Sequence, residues 1–314
     1  VQTLHAGGRK QKPNYWTSKM GNAGFDGKIL PWVLMGPQLI ILAFFFFWPA
    51  AQAVVQSFSL VDAFGGSSVF VGLDNFVYIL SSSSYQRSLL ITVIFNLLTV
   101  FWSLFFGLLF AVAVNSVFRS TIIFRTLLIW PYAVAPAIAG TLGLFLLNPT
   151  SGYVAHILNN GFGLGWDPTL KPWHGMAFVV IASVWKQVSY NFIFFFAGLQ
   201  AIPKSLIDAS VMDGATPFFR FRTIVFPLLA PMTFFLVVMN TIYAFFDTFG
   251  TIASTTDGGP QAFTKTLVYK VYEDGFVGND LGGSSAQSVI LMVIVIALTV
   301  AQFKYVERRI NYGV

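Results

Sequence analysis

The chain has 314 residues, 56% of them hydrophobic and 10% charged, with a mean hydropathy of +0.72. Soluble domains carry about 25% charged residues, so this composition excludes a soluble globular domain and specifies an integral membrane protein. The absence of cysteine excludes disulfides, thiolate metal sites and thiol nucleophiles.

Residues 1–28 are rich in Gly, Lys and Asn and contain no apolar run. A cleavable signal peptide needs an apolar core after its charges. The segment is therefore expected to be a flexible cytosolic tail, with a membrane domain filling 29–314. Spanning the hydrocarbon takes about 20 apolar residues. Six stretches meet that need: 31–57, 88–114, 124–147, 175–199, 228–251 and 284–303. Lipid satisfies no exposed backbone groups, so the spans are helices or a closed barrel. The lack of period-2 alternation rejects the barrel. The predicted fold is all-α with six transmembrane helices.

Taken in order, span one carries Trp48-Pro49, where a kink is expected. Span two places Ser103, Gly107 and Ala111 four apart on one face, a stripe suited to close helix packing or to a flexing, cavity-lining helix. Span three is similarly small-sided and holds Pro131 and Pro136, which predict a kink. Span four carries Lys186, Gln187 and Asn191, with Lys186 about eleven residues in, roughly 16 Å at 1.5 Å per residue. Span five offers Asn240, Tyr243 and Asp247 at helical spacing on one face. Polar groups at membrane depth point to a substrate path, and a cation there suits an anionic ligand. Lys186 is equally able to pair with Asp247 or to snorkel outward.

The longer connections, 59–87, 148–174 and 252–283, hold turn chemistry such as Asn148-Pro149 and Asp257-Gly258-Gly259-Pro260. Loops this long bind or cover something. Trp16, Trp32, Trp48, Trp166 and Trp173 fall near span ends, where amphipathic rings prefer to sit. With the N-terminus inside, thirteen Lys and Arg residues fall on the cytosolic side and four outside, Lys186 being left in the membrane. The positive-inside rule then puts both termini in the cytosol. The net charge of +6 is thereby a topology signal and gives no indication of nucleic-acid binding.

Between spans four and five runs a polar interruption, 203–227, containing Asp208, Asp213, Arg220 and Arg222. Pro203 or Ser205 suits a helix start, and Ser205-x-x-Asp208 has capping-box spacing. Leu206, Ala209, Val211 and Met212 give that helix an apolar side. Gly214 suits the left-handed ending, Thr216-Pro217 opens a second helix, and Pro227 stops it. The product is two short helices at an angle, either a docking knob or a capped surface loop.

The spacing Asp208-Ala209-Ser210, Asp213-Gly214-Ala215 and Ile224…Pro227 resembles the E-A-A…D-G-A…I…P coupling motif of ABC importer permeases. Phe145-Leu146-Leu147-Asn148-Pro149, Gly258-Gly259-Pro260 and Ser285-Ala286-Gln287-Ser288 resemble the MalF-like sugar permease family, whose fold is MetI-like. Within it, WPYAVAPAIAG at 130–140, SVWKQVSYNFIFFF at 183–196, YAFFDTF at 243–249 and YVERRINY at 305–312 are similar to permeases for sn-glycerol 3-phosphate. The resemblance implies a bacterial inner-membrane importer. It implies as partners a second, homologous permease subunit, a periplasmic substrate-binding protein and a cytosolic ATPase dimer that binds ATP and Mg. The motif residues would then dock the ATPase. An importer for a disaccharide would carry the same motif.

An enzyme is the rival class. His5, His156 and His174 have no metal-ligand partner at useful spacing. No G-x-x-x-x-G-K-[ST] phosphate loop is present, so ATP hydrolysis is expected on a partner.

Overall fold

The computed structural model describes residues 30–62, 66–116 and 121–305. The predicted tail, Trp16, His5, Arg119 and the 306–312 part of the final family-like string lie outside the described residues. The chain divides into two compact units, Val1–Gln52 and Ala53–Val314.

The first apolar stretch is helix α1, built from Leu30–Leu42, a π turn over Ala43–Phe47, and Trp48–Gln56. Pro49 lacks an N–H, and its ring crowds the carbonyl four residues earlier, on Phe45. Widening the turn over 43–47 accommodates both effects. Pro31–Gln56 is one span, without the sharp break that Trp48-Pro49 suggests.

The unit from Ala53 onward opens with a departure from the all-helical expectation. Strands β1 (Ser59–Val61) and β2 (Ser68–Phe70) form an antiparallel hairpin with Ser59 opposite Phe70. Asn75, in α2 (Asp74–Ser81), ties its base by donating to the carbonyls of Ser57 and Ser59, both at 3.0 Å. The hairpin is too short, and too poor in alternation, to announce itself in sequence.

Two long helices carry the unit: α3 (Ser83–Ser116) and α7 (Pro172–Ala201). They pack along one another through the small stripe, since Ser103, Gly107 and Ala111 are all buried. A β-carbon at Gly107 would lie 3.2 Å from the carbonyl carbon of Asn191 and 3.3 Å from the nitrogen of Phe192. The stripe is thus a packing device. Lipid tails are as apolar as leucine, so this contact gains little from hydrophobic transfer and depends on close van der Waals approach.

Between them, the third stretch departs from a kinked rod. Helix α4 (Thr121–Ile129) ends in a 3-10 elbow, Trp130–Ala133, and α5 (Pro136–Leu147) leaves it at 106°. Pro131 enters the first turn of the elbow and Pro136 the first turn of α5. The residue before a proline is pushed to extended backbone, as Ala135 is (φ −62°, ψ 146°). Two such interruptions five residues apart fold the segment back where one would only bend it.

The loop after α5 contains α6 (Tyr153–His156), continued by a π turn over Ile157–Gly161. Its hub is Trp166, which is buried instead of lying in an interfacial belt. The indole Nε1 donates to the Leu147 carbonyl at 2.9 Å, the ring stacks on His174, and Asn159 clasps its backbone.

After α7 come the interruption helices α8 (Lys204–Met212) and α9. The latter runs Pro217–Arg220, a π turn Phe221–Val225 and Phe226–Leu228. As at Pro49, the widened turn precedes a proline, here Pro227. α10 (Ala230–Phe246) departs from α9 at 66° and is followed by α11 (Phe249–Thr255). Then come α12 (Leu267–Tyr272), with a π turn Glu273–Val277, and α13 (Leu281–Tyr305). Among the described residues, four helices are long and apolar enough to span, and counting each bent pair as one brings the total to the six predicted from sequence. The core lies on α7, whose Met176, Val179, Val184, Phe192 and Phe195 are buried against α3 and α10.

The connection before α12 is ordered by side chains. Tyr269 donates to Asp257 at 2.5 Å, Thr256 and Thr264 share a 2.6 Å hydrogen bond, and Lys265 pairs with Glu273. Burial pushes the Tyr269 phenol pKa upward, and its bond to Asp257 adds to the shift.

Candidate functional site

The interruption folds into the knob expected from its spacing, with one change of detail. Pro203 takes the N-cap position of α8 without a side-chain cap, and Ser205 lies inside the helix, so the capping box does not form. Gly214 adopts φ +75°, and nothing lies within 4 Å of where its β-carbon would be. Thr216 caps α9 by accepting from the Phe219 N–H.

The motif residues divide by face. Ser210 is buried and donates to the Ile207 carbonyl at 2.6 Å, while Ile224 is half-buried. Asp208, Ala209, Asp213, Gly214 and Pro227 are exposed, and Ala215 is half-buried. The apolar side of α8 points outward: Met212 is 87% exposed, and Val211 and Leu206 about half. Phe218 and Phe219 add to this patch. At its root is a cavity of about 790 Å³, walled by Asp208, Lys204, Arg220, Asn115 and Gln200. The result is a polar knob with an apolar crown, joined to α7 on one side and to α10 on the other.

The second group of sequence candidates converges only in part. Lys186 stands at the midpoint of the 30-residue α7, half-buried. Its Nζ lies 5.2 Å from the ring centroid of Tyr132 and 5.7 Å from that of Tyr243, within the range of cation–π attraction. It belongs to neither the Lys265–Glu273 nor the Lys270–Asp274 ion pair, and among the described residues no carboxylate lies within 4.0 Å of it. The direct Lys186–Asp247 pair is absent because α10 ends at Phe246, leaving Asp247 exposed at the turn into α11.

Asn191, Asn240 and Gln187 are turned into the helix interface. Asn191 and Asn240 are both 0% exposed and hydrogen-bond to each other; Gln187 is buried beside them. Tyr243 is also buried, its hydroxyl donating to the Ser183 carbonyl at 3.4 Å. Asn240 and Tyr243 share a face of α10, but Asp247 does not continue it. The sequence gives the polarity of these positions without saying which helix each one meets.

Tyr132 and Tyr190 escape the sequence reading, because neither is ionised or strongly polar. A Ser-x-x-Lys spacing, the pattern of a serine–lysine dyad, does occur at membrane depth, at Ser183–Lys186 on α7. The Ser183 hydroxyl is buried without a hydrogen-bond partner and does not reach Lys186, so no dyad is assembled. An apolar groove of about 640 Å³ between Trp102, Phe106, Trp173 and Trp185 does not include Lys186.

A bundle of apolar helices, two of them bent, interrupted by a knob with a glycine-turned elbow, defines a membrane permease. The chain belongs to the family of binding-protein-dependent transport system inner membrane components, whose model matches residues 25–312. It is 57% identical to the sn-glycerol-3-phosphate transport system permease protein UgpA of Brucella abortus biovar 1 (strain 9-941), over 94% of this chain and 100% of that protein. The identity is 49% to the protein of that name from Escherichia coli (strain UTI89 / UPEC), over 92% of this chain and 97% of the relative. Among solved structures, it matches a bacterial ABC transporter involved in the import of the acidic polysaccharide alginate. There the TM-score is 0.77 at 20% identity, covering 90% of this chain and 96% of that one. The MetNI methionine ABC transporter matches with a TM-score of 0.52 at 14% identity, over 75% of this chain and 98% of that one. The fold is that of the ABC importer permeases.

Proposed function

We propose that the chain is a permease subunit of an ATP-driven, binding-protein-dependent importer for sn-glycerol 3-phosphate, with glycerophosphodiesters as further cargo. The observation that carries this reading is the identity of 57% along the full length of a relative named for that transport. A cation set halfway along α7, with no bonded counter-ion among the described residues, agrees with an anionic cargo.

The chain supplies half of the path, and a second, UgpE-like permease subunit supplies the other. A UgpB-like periplasmic protein delivers the cargo. Two copies of a UgpC-like ATPase bind ATP and Mg beneath, so this subunit catalyses no reaction itself. Both termini lie in the cytosol of a bacterium, on the side of the knob.

The mechanism follows from how the knob is mounted. One end of α8 follows α7 after Ile202, and α9 runs into α10 at Leu229. A partner that grips the crown of Met212, Phe218 and Phe219 and moves as ATP is bound and hydrolysed applies force to both helices together. Asp208 and Asp213 sit on the exposed side, available to basic groups of that partner. α7 and α10 are locked to one another through Asn191 and Asn240, so the force turns them as a unit and carries Lys186 with them. Access to the cation then alternates between the two membrane faces.

The experiment is competition in the reconstituted complex. Unlabelled sn-glycerol 3-phosphate and glycerophosphocholine should suppress uptake of labelled glycerol 3-phosphate, and maltose should not. Suppression by maltose would favour the disaccharide importer instead.

A further inference from the structure

We propose that Tyr132 and Tyr190 complete the anion-holding half-site around Lys186 by donating their phenol hydroxyls to the phosphate of the cargo. They are thereby specificity-determining residues. This rests on the reading of Lys186 as a cargo contact.

The three groups meet from two elements. Lys186 and Tyr190 are four apart on α7, hence neighbours on one helical face. Tyr132 arrives on the 3-10 elbow, held in place by the burial of Pro131 beside it. Its ring lies 5.7 Å from that of Tyr190, centroid to centroid, at an interplanar angle of 30°. Tyr190 is backed in turn by Phe194 at 4.7 Å, and Phe194 by Phe235 at 5.2 Å. Both phenols are thus positioned by packing.

Their hydroxyls are uncommitted. Tyr243 spends its hydroxyl on the Ser183 carbonyl and Tyr269 on Asp257, but Tyr132 and Tyr190 hydrogen-bond to no described residue. Tyr132 is 46% exposed and Tyr190 half-buried, so a ligand can reach them. A phenol held at membrane depth has no bulk water to compensate it. Phosphate oxygens accept strongly, and donors to a charged acceptor form shorter, stronger bonds than neutral pairs. The ammonium contributes three N–H donors and each phenol one. That cationic, donor-rich set fits a phosphomonoester and favours it over a neutral sugar of similar size. Asp247 is the opposing charge, and its exposed position beyond ion-pair distance keeps it out of this set.

The test is equilibrium binding of labelled sn-glycerol 3-phosphate to the purified four-subunit complex without the binding protein, together with its thermal midpoint. Tyr132→Phe and Tyr190→Phe keep the rings, so each should retain the native midpoint. Each should weaken binding about tenfold, as expected for one hydrogen bond to a charged group. Tyr132→Leu should bind no better than Tyr132→Phe. If Lys186→Ala weakens binding and both Phe variants bind as wild type, the tyrosine assignment is overturned while Lys186 stands. If Lys186→Ala also binds normally, or the wild-type complex binds nothing, the cargo contact beneath the assignment falls as well.

Discussion

Asn191 of α7 and Asn240 of α10 exchange both amides: Asn191 Nδ2 donates to Asn240 Oδ1 at 3.0 Å, and Asn240 Nδ2 returns to Asn191 Oδ1 at 2.7 Å. Each Nδ2 also reaches a backbone carbonyl one turn earlier, Gln187 for Asn191 and Leu236 for Asn240. Two fully buried polar side chains satisfy one another, and in doing so fix the register of the helices that flank the knob.

Breaking this clasp on one side leaves an amide without its partner. Asn240→Leu should lower stability by about 1–2 kcal/mol, the upper part of what interhelical hydrogen bonds give in membranes. The double variant Asn191→Leu/Asn240→Leu should recover part of the loss, because no polar group is stranded. Thermal midpoints of the detergent-purified complex would show this order. Additive losses would mean that the two residues act independently.

Gly107 should tolerate no large side chain. Its missing β-carbon faces the backbone of Asn191 and Phe192, not a flexible side-chain end, so Gly107→Leu must part α3 from α7. Complex yield and monodispersity should collapse for Gly107→Leu, with Gly107→Ala intermediate. A stable Gly107→Leu complex would show that the two helices do not approach as described.

At Gly214 the backbone conformation sets the outcome. A left-handed φ costs an ordinary L residue about 1–2 kcal/mol, less for Asn, and more for β-branched residues. Uptake should therefore fall in the order Gly, Asn, Ala, Val. Because nothing surrounds the position, side-chain volume alone predicts no loss. Equal activity for Gly214→Val and wild type would remove the turn from the coupling role.

Lys186→Ala should raise the KM for uptake by ten- to a hundredfold, the range for losing a hydrogen bond to a charged group. Assembly should be normal, since no buried polar atom is left without its partner. Lys186→Arg should retain part of the function by keeping the charge. Unchanged kinetics for Lys186→Ala would take the residue out of the path.

What the sequence revealed and what it concealed follow from the range of the interactions. The spans, the Gly214 turn and the Thr216 cap are local, set by composition and by residues within one or two turns. Pro49 and Pro227 were visible as interruptions, but a π turn that absorbs a proline is not distinguishable from a kink in sequence. The 106° elbow at 130–136 depends on two prolines acting together and on the burial of Pro131. Asn191 and Asn240 are 49 residues apart, and nothing in either helix alone says that they meet. The apolar side of α8 was legible from Leu206, Val211 and Met212, but which way it faces depends on how α8 is mounted between α7 and α9, which spacing within one short helix does not give.

The most direct test is ATP-dependent accumulation of labelled sn-glycerol 3-phosphate in proteoliposomes holding both permease subunits and the ATPase, with the binding protein supplied. Uptake should require ATP and should vanish for Asp208→Lys, which adds a third positive charge beside Lys204 and Arg220. Accumulation without ATP, by this chain alone, or undiminished in Asp208→Lys would contradict the account.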